Sequence, residues 1–125
     1  MIKFPFYHQH DTMQCGITCL RIICKYYGKE FSIETLSKYC YVTNEGVSLL
    51  GISEAATQLG LQNTCGRISV EQLENAPLPC ILHWNQNHYV VLNKVKKNRF
   101  YIADPGKGLM KYSREEFEDH WLSTC

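Results

Sequence analysis

Cys15 is the residue of this sequence whose position most favours chemistry. It lies in "MQCGITCL", where a polar segment gives way to an apolar helical pattern. The N-terminus of a helix presents N–H groups and a partial positive charge, which stabilise a thiolate. A thiolate attacks carbonyl carbons, so the position suits acyl transfer. A lone cysteine at a helix start is more often structural, however, so a catalytic role also requires a base and a group that orients it.

The sequence offers such a pair at the ends of two neighbouring strand patterns. His88 opens "HYVVL", and Asp104 closes "RFYIAD", where Pro105 stops strand pairing. A hairpin that turns around Lys96 puts positions 88 and 104 opposite each other, and a different loop length moves this register by a residue or two. We expect His88 to accept the thiol proton or pair with the thiolate and then protonate the leaving amine, while Asp104 fixes its tautomer.

Acyl transfer also needs a hydrogen-bond donor for the oxyanion, and Gln9 is the candidate. Its neutral carboxamide stands six residues before Cys15 and can act beside the amides of the helix start. A donor of this kind contributes roughly 3 kcal/mol of transition-state binding. The predicted site therefore consists of Cys15, His88, Asp104 and Gln9.

Each of these residues also has an ordinary structural interpretation. His88 could be a strand-end histidine bonded to a backbone carbonyl, Asp104 a turn former and Gln9 a loop residue. Taken singly, these interpretations are the better ones, but they leave unexplained why the required residue types fall at a helix start and two adjacent strand ends. His83 is a rival base, yet it lies inside an apolar strand pattern beside Trp84, which favours a core or edge histidine.

The elements that would position this site are helices first and strands afterwards. Helical periodicity, glycines at helix ends and serine caps predict helices over 14–27, 33–40, 48–60, 69–76 and 114–122. Short β-branched and aromatic runs predict three antiparallel strands over 79–84, 88–95 and 99–104. The order predicts an α+β domain with the first helix packed on the sheet.

Length and composition predict one domain over residues 1–125. The 13 basic and 12 acidic side chains are scattered, so a nucleic acid or anionic membrane is not the expected partner. No signal peptide or membrane span is evident, which predicts a soluble chain that begins in the cytosol.

Seven cysteines without a regular framework predict reduced thiols, most of them packed in the core. The absence of a C-x-x-C pair argues against zinc, and His8 and His10 are expected at the surface.

Three stretches together, "QHDTMQCGITCLRIICKYYG", "HYVVL" and "ADPG", resemble a known family. It is the N-terminal cysteine peptidase domain of peptidase-containing ABC transporters, the bacteriocin-processing endopeptidases. The resemblance implies a papain-like fold and cleavage of secreted peptide precursors after a double-glycine leader. It assigns Cys15 as nucleophile, His88 as base and acid, Asp104 as orienting group and Gln9 as oxyanion donor. Family members commonly carry an acidic residue directly before the cysteine, where this chain has Gln14.

The resemblance also implies the setting of the domain. Its expected partners are a precursor with a double-glycine leader and the transmembrane and nucleotide-binding domains of one transporter, at the cytoplasmic face of a bacterial membrane. The 125 residues would then be an excised domain that needs no cofactor or metal, with ATP used only downstream. A narrow channel would select the two glycines, and an apolar groove would hold the helical leader. The alternatives are a non-catalytic leader-receptor domain and another papain-like thiol amidase or acyltransferase.

Overall fold

The protein is an α+β domain in which helices cover both faces of one antiparallel sheet. The computed structural model describes residues 4–9, 14–40, 47–85 and 88–121. Within them the elements are α1 (Cys15–Tyr26), α2 (Ile33–Ser37), α3 (Leu49–Gln58), α4 (Val70–Glu74), β1 (Cys80–Trp84), β2 (His88–Lys96), β3 (Arg99–Asp104), β4 (Gly108–Ser113) and α5 (Arg114–His120). None of the helices in these ranges is both long and apolar enough to cross a membrane.

The predicted glycine ends of α1 and α3 are confirmed. Gly28 and Gly60 adopt left-handed φ angles of +84° and +88°, a conformation that glycine reaches without a steric penalty. After α1, the N–H of Lys29 donates to the carbonyl of Cys24 over 2.8 Å, and α3 ends with the same type of bond. These are Schellman motifs, which satisfy carbonyls that a helix leaves unpaired at its C-terminus.

Capping boxes begin the two helices that flank the strands. Ser69 Oγ accepts from the Gln72 N–H over 3.1 Å, and the Gln72 side chain accepts from the Ser69 N–H over 2.8 Å. Ser113 and Glu116 form the same reciprocal pair at α5. The serine caps predicted from the sequence are thus confirmed, and each box depends only on residues three positions apart.

Across the described residues the sheet has four strands in the order β1-β2-β3-β4, so the prediction of three strands was wrong. β4 is an edge strand on which Leu109 and Lys111 are exposed while Tyr112 is buried and Met110 partly buried. With two inward side chains, its alternation is a weak signal beside the apolar runs of the other strands.

The turn between β2 and β3 lies later in the chain than the sequence predicted. Lys97 and Asn98 form the turn, with φ angles of 51° and 61°, and Lys96 pairs with Arg99. Two consecutive residues of positive φ are typical of the tight type I′ hairpin turn. Position 88 therefore does not lie opposite position 104, but the shift is within the residue or two that the unknown loop length left open, and the two side chains are in contact.

A β-bulge in β2 restores the contact that this shift would have removed. The ladder to β3 shifts by one residue between Leu92 and Lys94, so Asn93 is extra. Side chains alternate between the faces of a strand, so an unbroken ladder from the turn would set His88 and Asp104 on opposite faces. With the extra residue they lie on the same face, diagonal to each other.

The core has helices on both sides of the sheet. α1 packs on β2 and β3 as predicted, through Cys19, Ile22, Val91 and Ala103. A second cluster joins α1 to α2 and α3, and includes Leu20, Leu36, Ile52 and Ala55. On the other face, α5 inserts Phe117 among aromatic and aliphatic side chains that include Trp84, Phe100 and Ile102.

Candidate active site

Cys15 is the first residue of α1, and it is only 5% exposed. Two other cysteines follow on the same helix, and both are fully buried. Burial raises the pKa of Cys24 to about 11 and that of Cys19 well above its ordinary value. Both therefore stay protonated at neutral pH and act as apolar core residues, as the sequence predicted. Cys15 is the thiol of α1 that interacts with His88.

His88 and Asp104 form the expected pair. His88 Nε2 donates to Asp104 Oδ1 over 2.6 Å, and the same oxygen accepts the Gly106 N–H over 2.9 Å. Asp104 is 1% exposed. Burial by itself would raise the pKa of this carboxyl, but the hydrogen bonds from His88 and Gly106 outweigh it and lower the pKa. Asp104 is thus a buried carboxylate that fixes the plane and the tautomer of the imidazole.

Cys15 acts on the same imidazole. Burial alone would lower the pKa of His88, but hydrogen bonds to Asp104 and Cys15 and the charges of both raise it to about 9. Because Nε2 is taken by Asp104, the nitrogen that remains for the sulfur is Nδ1. An imidazolium with a buried carboxylate on one nitrogen and a cysteine sulfur at the other is the arrangement that activates a cysteine nucleophile.

Gln9 is held beside this pair by a backbone bond that the sequence did not reveal. Its N–H donates to the carbonyl of Pro105 over 3.0 Å and so ties the N-terminal segment to the β3–β4 turn. A Cβ placed on Gly106 would lie 3.5 Å from Gln9 Oε1, 3.5 Å from Asp104 Oδ1 and 3.7 Å from His88 Cε1. The structure therefore brings all four predicted site residues together around the start of α1.

Two further residues of the site were not predicted from the sequence. Pro105 was interpreted as a strand breaker, whereas its carbonyl also anchors Gln9. Gly106 was noted within "ADPG" without a role, whereas its N–H donates to Asp104 and it lies beside Gln9 and His88. A glycine directly after Asp-Pro at a strand end was the available signal.

The rival base His83 lies on β1, where its ring stacks on Tyr89 with centroids 5.2 Å apart. Asp104 accepts its imidazole hydrogen bond from His88. His8 is exposed, and its ring contacts Phe6 edge-on, while His10 lies outside the described residues. Among residues 4–9, 14–40, 47–85 and 88–121, no three His, Cys, Asp or Glu side chains are grouped to hold a metal ion.

The arrangement can carry out acyl transfer through a thiol, and comparison with known proteins gives it a family. The sequence pattern of the Peptidase C39 family matches residues 3–125. The chain belongs to this family. Its α+β, papain-like cysteine peptidase fold and the family resemblance seen in its motifs are thereby confirmed.

Solved structures of this family share the whole fold. A crystal structure of a double glycine motif protease from an AMS/PCAT transporter, in complex with the leader peptide, matches with a TM-score of 0.93 at 35% identity, over 98% of this chain and 89% of that one. The peptidase domain of Streptococcus ComA, a bi-functional ABC transporter involved in a quorum sensing pathway, matches with a TM-score of 0.90 at 27% identity, over 98% and 95%.

Longer relatives carry a similar domain. The colicin V secretion/processing ATP-binding protein CvaB of Escherichia coli is 36% identical over 123 residues, which make up 98% of this chain and 18% of that protein. This Peptidase C39 chain thus spans under a fifth of the length of the curated relatives that it matches first.

Proposed function

We propose that this Peptidase C39 domain is a cysteine endopeptidase that removes double-glycine leader peptides from precursors of secreted, bacteriocin-type peptides. The observation that carries the proposal is the hydrogen bond from the partly buried His88 to the buried Asp104, which holds the imidazole against Cys15. The substrate class is supported by the likeness, at 35% identity, to a double glycine motif protease with the leader peptide bound.

In the first half of the reaction, the thiolate of Cys15 attacks the carbonyl carbon of the second glycine. The carboxamide N–H of Gln9 and the amides at the start of α1 stabilise the oxyanion. The C–N bond then breaks, and the imidazolium of His88 gives its proton to the leaving amine. The leader remains bound to sulfur as a thioester.

In the second half, neutral His88 takes a proton from water, and the resulting hydroxide attacks the thioester. The C–S bond breaks, which releases the leader as a carboxylic acid that gives its proton to solvent, and the thiolate–imidazolium pair is restored. Asp104 keeps its proton-free form throughout and stabilises the imidazolium whenever it forms.

The surroundings of Cys15 support a preference for glycine at the scissile bond. The side chain is 5% exposed, so a peptide must bring its backbone very close to the sulfur. The next residue, Gly16, is also tightly packed, since a Cβ there would lie 3.1 Å from Ile52 Cδ1. Substrate residues without a Cβ approach such a nucleophile with the least steric cost.

The setting of the domain is part of the same proposal. Relatives named as secretion/processing or transport ATP-binding proteins support a place beside the transmembrane and nucleotide-binding parts of an ABC transporter, at the cytoplasmic face of a bacterial membrane. ATP is then used by the transporter, and the peptidase domain works without a cofactor, a metal or a nucleic acid partner.

Incubation with a synthetic precursor tests the proposal. Mass spectrometry under reducing conditions is expected to find cleavage after the second glycine, and none with Cys15→Ala or with a precursor in which that glycine is alanine. Cleavage that survives Cys15→Ala, or a wild-type domain that leaves the precursor intact, would refute it. Tight binding of the leader without cleavage would instead identify a receptor domain, and hydrolysis of simple amides alone a different thiol amidase.

A further inference from the structure

The segment that leads into His88 is held by the end of α5. We propose that His120 and Asn85 are positioning residues, which set the place of His88 although neither reacts with substrate. The inference adds to the proposed peptidase function and rests on it for the role of His88.

His88 begins β2 directly opposite Trp84, the last residue of β1. The connection between the two strands starts at Asn85, whose φ is +47°. A left-handed residue of this kind carries a steric cost that asparagine tolerates better than most residues. Because the connection is so short, the positions of Trp84 and Asn85 determine where the first residue of β2 lies.

Three contacts from His120 fix both residues. His120 Nδ1 donates to Asn85 Oδ1 over 2.8 Å, and the carbonyl of His120 accepts the Asn85 N–H over 2.9 Å. The imidazole also stacks on the indole of Trp84, with centroids 5.1 Å apart and planes 16° apart. Trp121 adds a backbone bridge to Trp84. The last turn of α5 therefore holds the start of the connection that leads from β1 to His88.

Stability alone does not account for a histidine at this point. Trp84 is 1% exposed and already packs on Phe117 and Tyr112. The side-chain bond between His120 and Asn85 lies at the exposed surface, where a single hydrogen bond adds about 1 kcal/mol. Catalytic geometry is more sensitive, since a misplacement of about 1 Å can cost about 100-fold in rate. The bond is thus better explained by the position of His88 than by the strength of the fold.

Substitutions at position 120 separate the two contacts of the ring. His120→Phe keeps the stacking on Trp84 but removes the donor to Asn85. His120→Asn loses the stacking ring but places an amide N–H near the position of Nδ1. We expect kcat for a double-glycine precursor to fall about 10-fold or more in His120→Phe with KM nearly unchanged, and to recover largely in His120→Asn.

A second readout is independent of the substrate. The rate at which iodoacetamide modifies Cys15, followed by peptide mass spectrometry, reports the thiolate–imidazolium pair. We expect this rate at neutral pH to fall in His120→Phe and to recover in His120→Asn. If the wild-type domain cleaves no precursor, the proposed function fails, while the alkylation rates still decide the role of His120.

The results that overturn the inference are specific. A folded His120→Phe variant with wild-type kcat and wild-type Cys15 alkylation, altered only in melting temperature, shows a purely structural role. If His120→Asn is as impaired as His120→Phe, the hydrogen bond is not what positions His88. If His120→Phe does not fold, Asn85→Gly, which tolerates the positive φ, replaces it as the variant without the bond, and Asn85→Asp as the one that keeps the acceptor.

Discussion

Replacing Asp104 by asparagine separates the charge of this residue from its geometry. The amide oxygen of asparagine can still accept from His88 Nε2 and from the Gly106 N–H, which now reach Asp104 Oδ1 over 2.6 and 2.9 Å. The tautomer and the ring plane of His88 are therefore retained. What is lost is the negative charge that favours the imidazolium.

The size of the effect follows from the pKa of His88. This pKa is raised from 6.5 to about 9, against the lowering effect of burial. At about 1.4 kcal/mol per pH unit, the difference is roughly 3 kcal/mol in favour of the imidazolium, which is the net effect of Asp104 and Cys15 against burial. Loss of the Asp104 charge leaves burial opposed by Cys15 and by the retained hydrogen bond from the ring to residue 104. We expect the pKa of His88 to fall by about 1 to 2 pH units.

The pH dependence of kcat/KM measures this change. A raised histidine pKa keeps the active imidazolium populated until the pH passes through about 9, so the basic limb of the wild-type profile should lie there. In Asp104→Asn the basic limb should move to lower pH by about 1 to 2 units, and the acid limb should change little. In Asp104→Ala the hydrogen bond that orients the His88 ring is also removed, so kcat/KM should fall about 100-fold or more at every pH.

Two outcomes would refute this reasoning directly. If Asp104→Asn keeps its basic limb near pH 9, the charge of Asp104 does not set the pKa of His88. If Asp104→Asn and Asp104→Ala are equally inactive at every pH, Asp104 contributes its charge alone, and its hydrogen bond does not orient the imidazole.

Three further predictions concern the surroundings of the site. Gln9→Ala should lower kcat about 100-fold to 1,000-fold with little change in leader affinity measured by calorimetry, and an equal loss of both would contradict an oxyanion role. Deletion of Asn93 should leave a folded, active enzyme, because the residues on either side of it pair with consecutive residues of β3 and can keep those partners. A variant that is folded by circular dichroism but does not cleave the precursor would contradict the shifted register between β2 and β3. Gly60→Ala should lower the free energy of unfolding in urea by about 1 kcal/mol, because its φ is +88°. Gly66→Ala is the matched control, since no atom lies within 4 Å of its added Cβ.

Much of the local structure could be predicted because its causes are local. A Schellman end depends on one glycine and the preceding turn, and a capping box on two residues three positions apart. Gly28, Gly60 and the two serine boxes are therefore recognisable without any knowledge of the fold. The strand β4 was missed for the opposite reason, because its place at the edge of the sheet depends on pairing with β3 and not on its own weak pattern.

The sequence by itself indicated which residues are candidates for the proposed chemistry. The sequence shows a cysteine at a helix start, a histidine and an aspartate at strand ends, and a glutamine upstream. These residues can be recognised because they are polar side chains at the ends of apolar helix and strand patterns. The tertiary structure alone decided how they meet. The bulge at Asn93 sets His88 and Asp104 on one face, and the Pro105 carbonyl brings in Gln9. These contacts join segments that are distant in the chain. A shift of one residue in strand register moves every side chain of that strand to the other face of the sheet, so patterns of neighbouring residues do not specify these contacts.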